Sequence, residues 1–224
     1  MGEFKTDKKW EEHENQFVEP ILQSLLLRKA NFKWDVHRAT DMRIATVIGG
    51  ERDGQAIRDI AVRVRRPGVF LDKRGYGSQF TVRTRRDSGA KTELAKFLDG
   101  WGDWFFYGHA SILEDEPIPH WCVIDLNIFR KHERAVAVHL QDNRDGTYFN
   151  GYDINSFPDE LLIGASPTLR LVLKEGIEAY DRLPIKLENL INPVLRTRHD
   201  VNQASETDIN ERKIVSRMRR RPFF

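Results

Sequence analysis

Two short runs, DIAVRVRR over residues 59–66 and FTVRTRR over 80–86, set arginine at alternate positions of a β-branched stretch, and this pattern constrains the chain more than any other. Side chains along a strand point to opposite faces with a period of two. In the first run Ile60, Val62 and Val64 therefore share one side, and Ala61, Arg63 and Arg65 share the other. In the second, Phe80 and Val82 lie opposite Thr81, Arg83 and Arg85. If the two runs pair as neighbours, one sheet face carries four arginines. Such a face cannot be buried without counter-charge, so it meets carboxylates of the chain, water or a bound polyanion.

The surrounding sequence supplies the rest of an α/β domain. Apolar residues recur at helical spacing between Trp10 and Leu27, with Pro20 kinking that helix or sitting near its first turn. FKWDVHRA (32–39) and MRIATVI (42–48) read as strands, separated from the arginine runs by Gly49, Gly50, Pro67, Gly68, Gly75 and Gly77. KTELAKFLD (91–99) reads as a helix stopped by Gly100, and WFFYGHA (104–110) and HWCVIDL (120–126) as buried strands. A helical piece NIFRKH, a polar stretch QDNRDGTYFNGYD, the run PDELLIG and a helix over Thr168–Tyr180 follow. The expected fold is a mixed central sheet flanked by helices, with a helical C-terminal extension. The expected organisation is a tail over 1–9, one domain over 10–190 and a basic tail over 191–224 that ends RKIVSRMRRRPFF.

The formal net charge is only +2, so the distribution of charge is more informative than its sum. Between Arg58 and Arg86 nine basic residues face two acidic ones, and all but Lys73 are arginine, whose planar fork grips phosphate oxygens in pairs. This points to a nucleic-acid surface made by Arg63, Arg65, Arg83, Arg85 and Arg86, with DNA expected ahead of RNA; a protein partner is a further expectation for the basic tail, and a homodimer is compatible with the sequence. No apolar run approaches the ~18 residues that cross a bilayer, and Cys122 is the lone cysteine. Both features fit a cytoplasmic protein without a membrane partner. The seven histidines show no metal-ligand spacing, His109 reads as a core histidine, and Trp101, Trp104, Phe105 and Phe106 as core aromatics.

Three carboxylates are placed suggestively. Glu14 lies three and four residues before Phe17 and Val18, on the inward face of the first helix; Asp41 opens the strand MRIATVI; Glu93 and Lys96 are three apart on the second helix. Two or three carboxylates with a cation beside them are what Mg²⁺-assisted phosphodiester cleavage requires.

Over residues 10–126 the order of helix, strand meander, helix and strand resembles the PD-(D/E)XK nuclease superfamily, as does the run GAKTELAKFLDGWGDWFFYGHA. The resemblance implies a restriction-endonuclease-like core, of a divergent, phage-borne kind, and a nuclease using Mg²⁺ or Mn²⁺. Asp41 would be the metal-binding aspartate and Glu14 the glutamate of the first helix. The strand that should read (D/E)-x-K instead reads Ala61-Val62-Arg63 or Thr81-Val82-Arg83. Glu93 would then supply the relocated carboxylate, with Lys96, Arg83 or Arg63 stabilising phosphate charge. The alternative is a nuclease-fold module that binds nucleic acid or a protein without cutting.

Overall fold

The computed structural model describes residues 2–37, 42–65, 76–111, 117–142 and 146–176. Strands β1 (Asn31–His37) and β2 (Met42–Ile48) pair antiparallel. A small hairpin of β3 (Glu51–Arg52) and β4 (Gln55–Ala56) follows, turned by Asp53 and Gly54 at φ 50° and 77°. Positive φ at both central residues is what a tight hairpin turn of this hand demands, and Asp-Gly meets it at low cost. The chain returns in β5 (Asp59–Arg65), antiparallel to β2.

Strand β6 (Gln79–Arg86) does not add to this sheet. The expected pairing of the two arginine runs is not formed: the free edge of β5 is taken by β7 (Trp104–His109), which runs parallel to it from Ile60↔Trp104 to Arg65↔His109. A parallel neighbour needs a long crossover, and β6 with helix α2 (Glu93–Leu98) provides it. Strands β8 (His120–Asp125) and β11 (Leu162–Ala165) complete a mixed six-stranded sheet of order β1-β2-β5-β7-β8-β11. Strand β6 instead pairs with β10 (Thr147–Asp153), and β10 with β9 (Val138–Asp142), as a separate three-stranded sheet. The polar stretch after Gln141 thus contributes strand structure where sequence reading assigned none.

Helices cover the central sheet. Helix α1 runs Gly2–Leu25, starting well before Trp10, with Pro20 inside it and exposed. Val18 and Leu22 of α1 pack with Ala45, Val47, Ile60, Val62, Trp104 and Phe106 on one face of the six-stranded sheet. The opposite face, carrying Ala61, Phe105, Tyr107 and Cys122, packs against Phe80, Val82 and Tyr152 of the three-stranded sheet, Phe97 of α2 and Phe129 of α3 (Leu126–His132). Phe80, Phe97, Phe105, Phe129 and Tyr152 are almost wholly buried. Burying each such aromatic side chain contributes about 2–3 kcal/mol relative to exposure, so this aromatic block fixes the two sheets against each other.

Helix α4 (Pro167–Glu175) is capped by Ser166, whose hydroxyl accepts the Leu169 N–H, and stops at Gly176 with φ 85°. Residues 177–180 of the helix expected there, and the tail over 191–224, lie outside the described residues. Among the described residues, no helix is long and apolar enough to cross a membrane.

Candidate functional site

The arginines come together across the two sheets instead of along one. Alternation in β5 turns Ile60 and Val62 toward α1 and Ala61 toward the three-stranded sheet. Arg63 and Arg65 follow Ala61 to that side. Strand β10 approaches them there, and Phe149, nearly buried, lies directly opposite Arg83 of β6. Three guanidinium groups gather at its ring: Arg63 at 4.8 Å, Arg65 at 5.4 Å and Arg83 at 5.5 Å from the centroid. A cation near an aromatic face gains about 0.5–2 kcal/mol, more as water is excluded. The ring thus helps to hold side chains whose charges repel one another.

Arg85 departs from the simple alternation expected of β6. The register with β10 shifts between Tyr148 and Phe149, so that Arg83 faces Phe149 while Arg85 faces Tyr148. Consecutive strand residues point to opposite sides, and this irregularity separates two arginines that strict alternation would place on one face. The Arg85 guanidinium lies 3.9 Å from the Tyr148 ring centroid, pairs with Asp87 at 3.5 Å and is 64% exposed. Arg86 is half-buried beside it, opposite Thr147.

Glu93 ties the cluster together. Thr92 caps α2, accepting from the Ala95 N–H and donating to the Thr84 carbonyl, and so seats the first turn of the helix on β6. From that turn, Glu93 accepts from Arg63 Nη2 through Oε1 and from the Arg83 backbone N–H, at 3.1 Å, through Oε2. One carboxylate thus engages both sheets. Lys96 is buried one helical turn further on; burial chiefly lowers its pKa, Lys91 adds to that, and Glu93 opposes both.

A line of polar side chains continues beneath the arginines. The Thr81 hydroxyl donates to Tyr107 Oη at 3.2 Å, and the rings of Tyr107, His109 and His120 follow at centroid spacings of 5.3 and 5.7 Å. His120 Nε2 lies 3.0 Å from the Gly77 carbonyl and donates to it, since a carbonyl can only accept. Burial holds the pKa of His120 down at about 3; that of His109 is lowered by burial first, then by His120 and Arg65.

Glu14 stands elsewhere. It is buried on the α1 side of the six-stranded sheet, 3.5 Å from His13 Nδ1, with Arg43 of β2 close enough to act on it; burial raises its pKa against the pull of both. Arg43 pairs with Val62, on the sheet face opposite Arg63 and Glu93. The sheet therefore separates Glu14 from Glu93, and Asp41 lies outside the described residues. Both oxygens of Glu93 already accept hydrogen bonds, and among the described residues no group of three His, Cys, Asp or Glu side chains could hold a metal ion. Among the described residues, Glu14 and Glu93 are thus not brought together at one site.

The two residues that sequence reading missed are Tyr148 and Phe149. Their signal was the Asp145-Gly146 turn pair followed by the aromatic run Thr147-Tyr148-Phe149, a hairpin pattern. Comparison with protein-family models, with curated proteins and with solved structures gives no match for this chain.

Proposed function

We propose that this chain is a nucleic-acid-binding protein whose arginine cluster, Arg63, Arg65 and Arg83 about Phe149 with Arg85 on Tyr148, grips backbone phosphates. The observation that carries the reading is the convergence of three guanidinium groups from two different sheets on one ring. Arginine forks match phosphate oxygens in pairs, and the Arg65 Nε is buried with no hydrogen-bond partner among the described residues. A buried donor of this kind favours an incoming acceptor. Glu93 orients Arg63 and fixes β6, so its role in this reading is positioning. The element order α1, then β1, β2 and β5, then α2 and β7 supports a restriction-endonuclease-like core as part of the same proposal; the departure of β6 into a second sheet is what distinguishes this chain within it.

The test is fluorescence anisotropy with labelled single-stranded DNA, duplex DNA and RNA. Saturable binding is expected, and Arg65→Gln should weaken it and lower the salt slope by about one. Absence of saturable binding to all three would overturn the reading.

A second reading, phosphodiester hydrolysis, is favoured by one observation: Lys96 is buried beside Glu93 with a lowered pKa, and so gives up a proton more readily than a surface lysine. It predicts cleavage of plasmid or single-stranded DNA that Lys96→Met abolishes, and nicking insensitive to that change would reject it. Supplementing Mg²⁺ or Mn²⁺ against EDTA, with Asp41→Ala alongside, measures any metal dependence separately.

A further inference from the structure

The register of β10 with its two neighbours lays out one face of the three-stranded sheet residue by residue, because paired residues share a face and alternate residues return to it. Arg85, Tyr148 and Asp142 stand in one row across β6, β10 and β9. Asn150 and Leu140 follow on β10 and β9 in the next row. This is the face turned away from Phe149 and Arg83. Beyond Asn150 it enters the core at Tyr152 and Phe80, both buried against Phe129. At the Arg85 end it is open: the Arg85 side chain is 64% exposed and Leu140 71%.

That open end has the makings of a flat surface. The Arg85 guanidinium lies 3.9 Å from the Tyr148 ring centroid, close enough for van der Waals contact, and its exposure leaves the second face of its plane to solvent. Asp87 pairs with Arg85 at 3.5 Å, and Asp142 stands on the other side of Tyr148. These carboxylates offset the local positive charge, so the plane of Arg85 has more to offer here than its charge. A single exposed leucine is ordinary on a protein surface. Leu140, however, is the diagonal neighbour of Tyr148, at a spacing of about 7–8 Å that long side chains bridge, and it extends the apolar surface beside the ring.

Guanidinium planes and aromatic rings on an open surface are what unpaired nucleobases stack on, and the contact tolerates any base because every base has a π-face. A base inside a duplex is already covered on both faces by its neighbours. We infer that Arg85, Tyr148 and Leu140 form a stacking platform for the unpaired bases of a single-stranded nucleic acid. This rests on the nucleic-acid reading above and adds to it the contact made with bases.

The experiment compares, on the full chain, the affinities of a single-stranded oligonucleotide and of an abasic strand with the same length and phosphate backbone. The base-bearing strand should bind about tenfold more tightly. Arg85→Lys keeps the charge and removes the planar group. Leu140→Ser removes apolar surface at a position outside the core. Each should cut the preference for the base-bearing strand to about threefold or less. A 2-aminopurine placed in the strand should change its fluorescence on binding, and change it less with Arg85→Lys. If base-bearing and abasic strands bind equally, the platform is overturned and the nucleic-acid reading stands. A preference that both variants leave at its wild-type value also overturns it. If neither strand binds, both readings fall.

Discussion

Glu93→Gln separates positioning from simple charge neutralisation, because the two predict opposite changes in binding. The substitution keeps size and removes charge at a side chain that is 2% exposed. At present Oε1 accepts from Arg63 and Oε2 from the Arg83 backbone N–H. Glutamine has one carbonyl oxygen for these two donors, and its amide group turns a donor toward the other. A buried donor left without an acceptor costs about 1–3 kcal/mol. Removing one partner of a buried ion pair costs about 3–5 kcal/mol. The retained hydrogen bond offsets part of this, and about 3 kcal/mol of lost stability is the expectation. For a chain of this size that lowers Tm by roughly 6–12 °C, measured by circular dichroism. Binding is then read by anisotropy well below the unfolding temperature. If Glu93 only cancelled positive charge, its loss would tighten binding to a polyanion. Because it aims Arg63, the variant should bind about fivefold more weakly, with a salt slope smaller by about one. An unchanged Tm, or tighter binding with the slope intact, would refute the assignment.

Other consequences follow from groups around the cluster. His109 and His120 are held neutral by burial, so between the ordinary imidazole range and their lowered values the unfolded chain binds more protons and stability falls as pH drops below about 6.5. Each contributes up to about 1.4 kcal/mol per pH unit in that window, while Glu14, whose pKa is raised, acts in the opposite direction. His120→Gln should flatten urea-unfolding stability between pH 6 and pH 4.5 by about one proton; an unchanged slope would contradict this. Phe129→Ala removes a fully buried ring packed on Phe80, Phe97, Tyr152 and Phe157, and should cost about 3–5 kcal/mol by denaturant titration; a loss under about 1 kcal/mol would mean that this block is not tightly packed. Glu14→Gln, on the far side of the sheet from Phe149, should leave DNA affinity within about twofold, a change below 0.5 kcal/mol; a tenfold loss would show that the two sheet faces are coupled.

Much of this was legible because it depends on local pattern. MRIATVI is rich in β-branched residues and is bounded by Gly49 and Gly50, and it forms β2 over the residues expected of it, Met42–Ile48. The alternation of Ala61 with Ile60 and Val62 fixed which side of β5 bears Arg63 and Arg65. The partner of β5 was not legible. Pairing DIAVRVRR with FTVRTRR satisfies alternation as well as pairing it with WFFYGH does, and only burial of both faces of β7, whose six residues are all buried, decides for a central parallel position. Strands β9 and β10 escaped for a different reason. VHLQD is largely exposed and TYFNGYD carries Asn and Gly amid its aromatics, so neither shows an apolar period. With β10 unread, Phe149 could not be seen as the point where the arginines meet. The register shift that parts Arg83 from Arg85 depends on β10 as well. Glu93 and Lys96 were placed on one helix by spacing, but the contact of Glu93 with Arg63 depends on α2 seating on β6, which is a tertiary event.

The most direct measurement is the dependence of affinity on salt for a single-stranded oligonucleotide. Each phosphate neutralised on a single strand contributes about −0.7 to the slope of log K against log salt, so three to four arginines at Phe149 and Tyr148 predict a slope of roughly −2 to −3. Arg65→Gln and Arg83→Gln should each make it shallower. A slope near zero, or one that both substitutions leave unchanged, would mean that the arginines gathered across the two sheets do not meet phosphate.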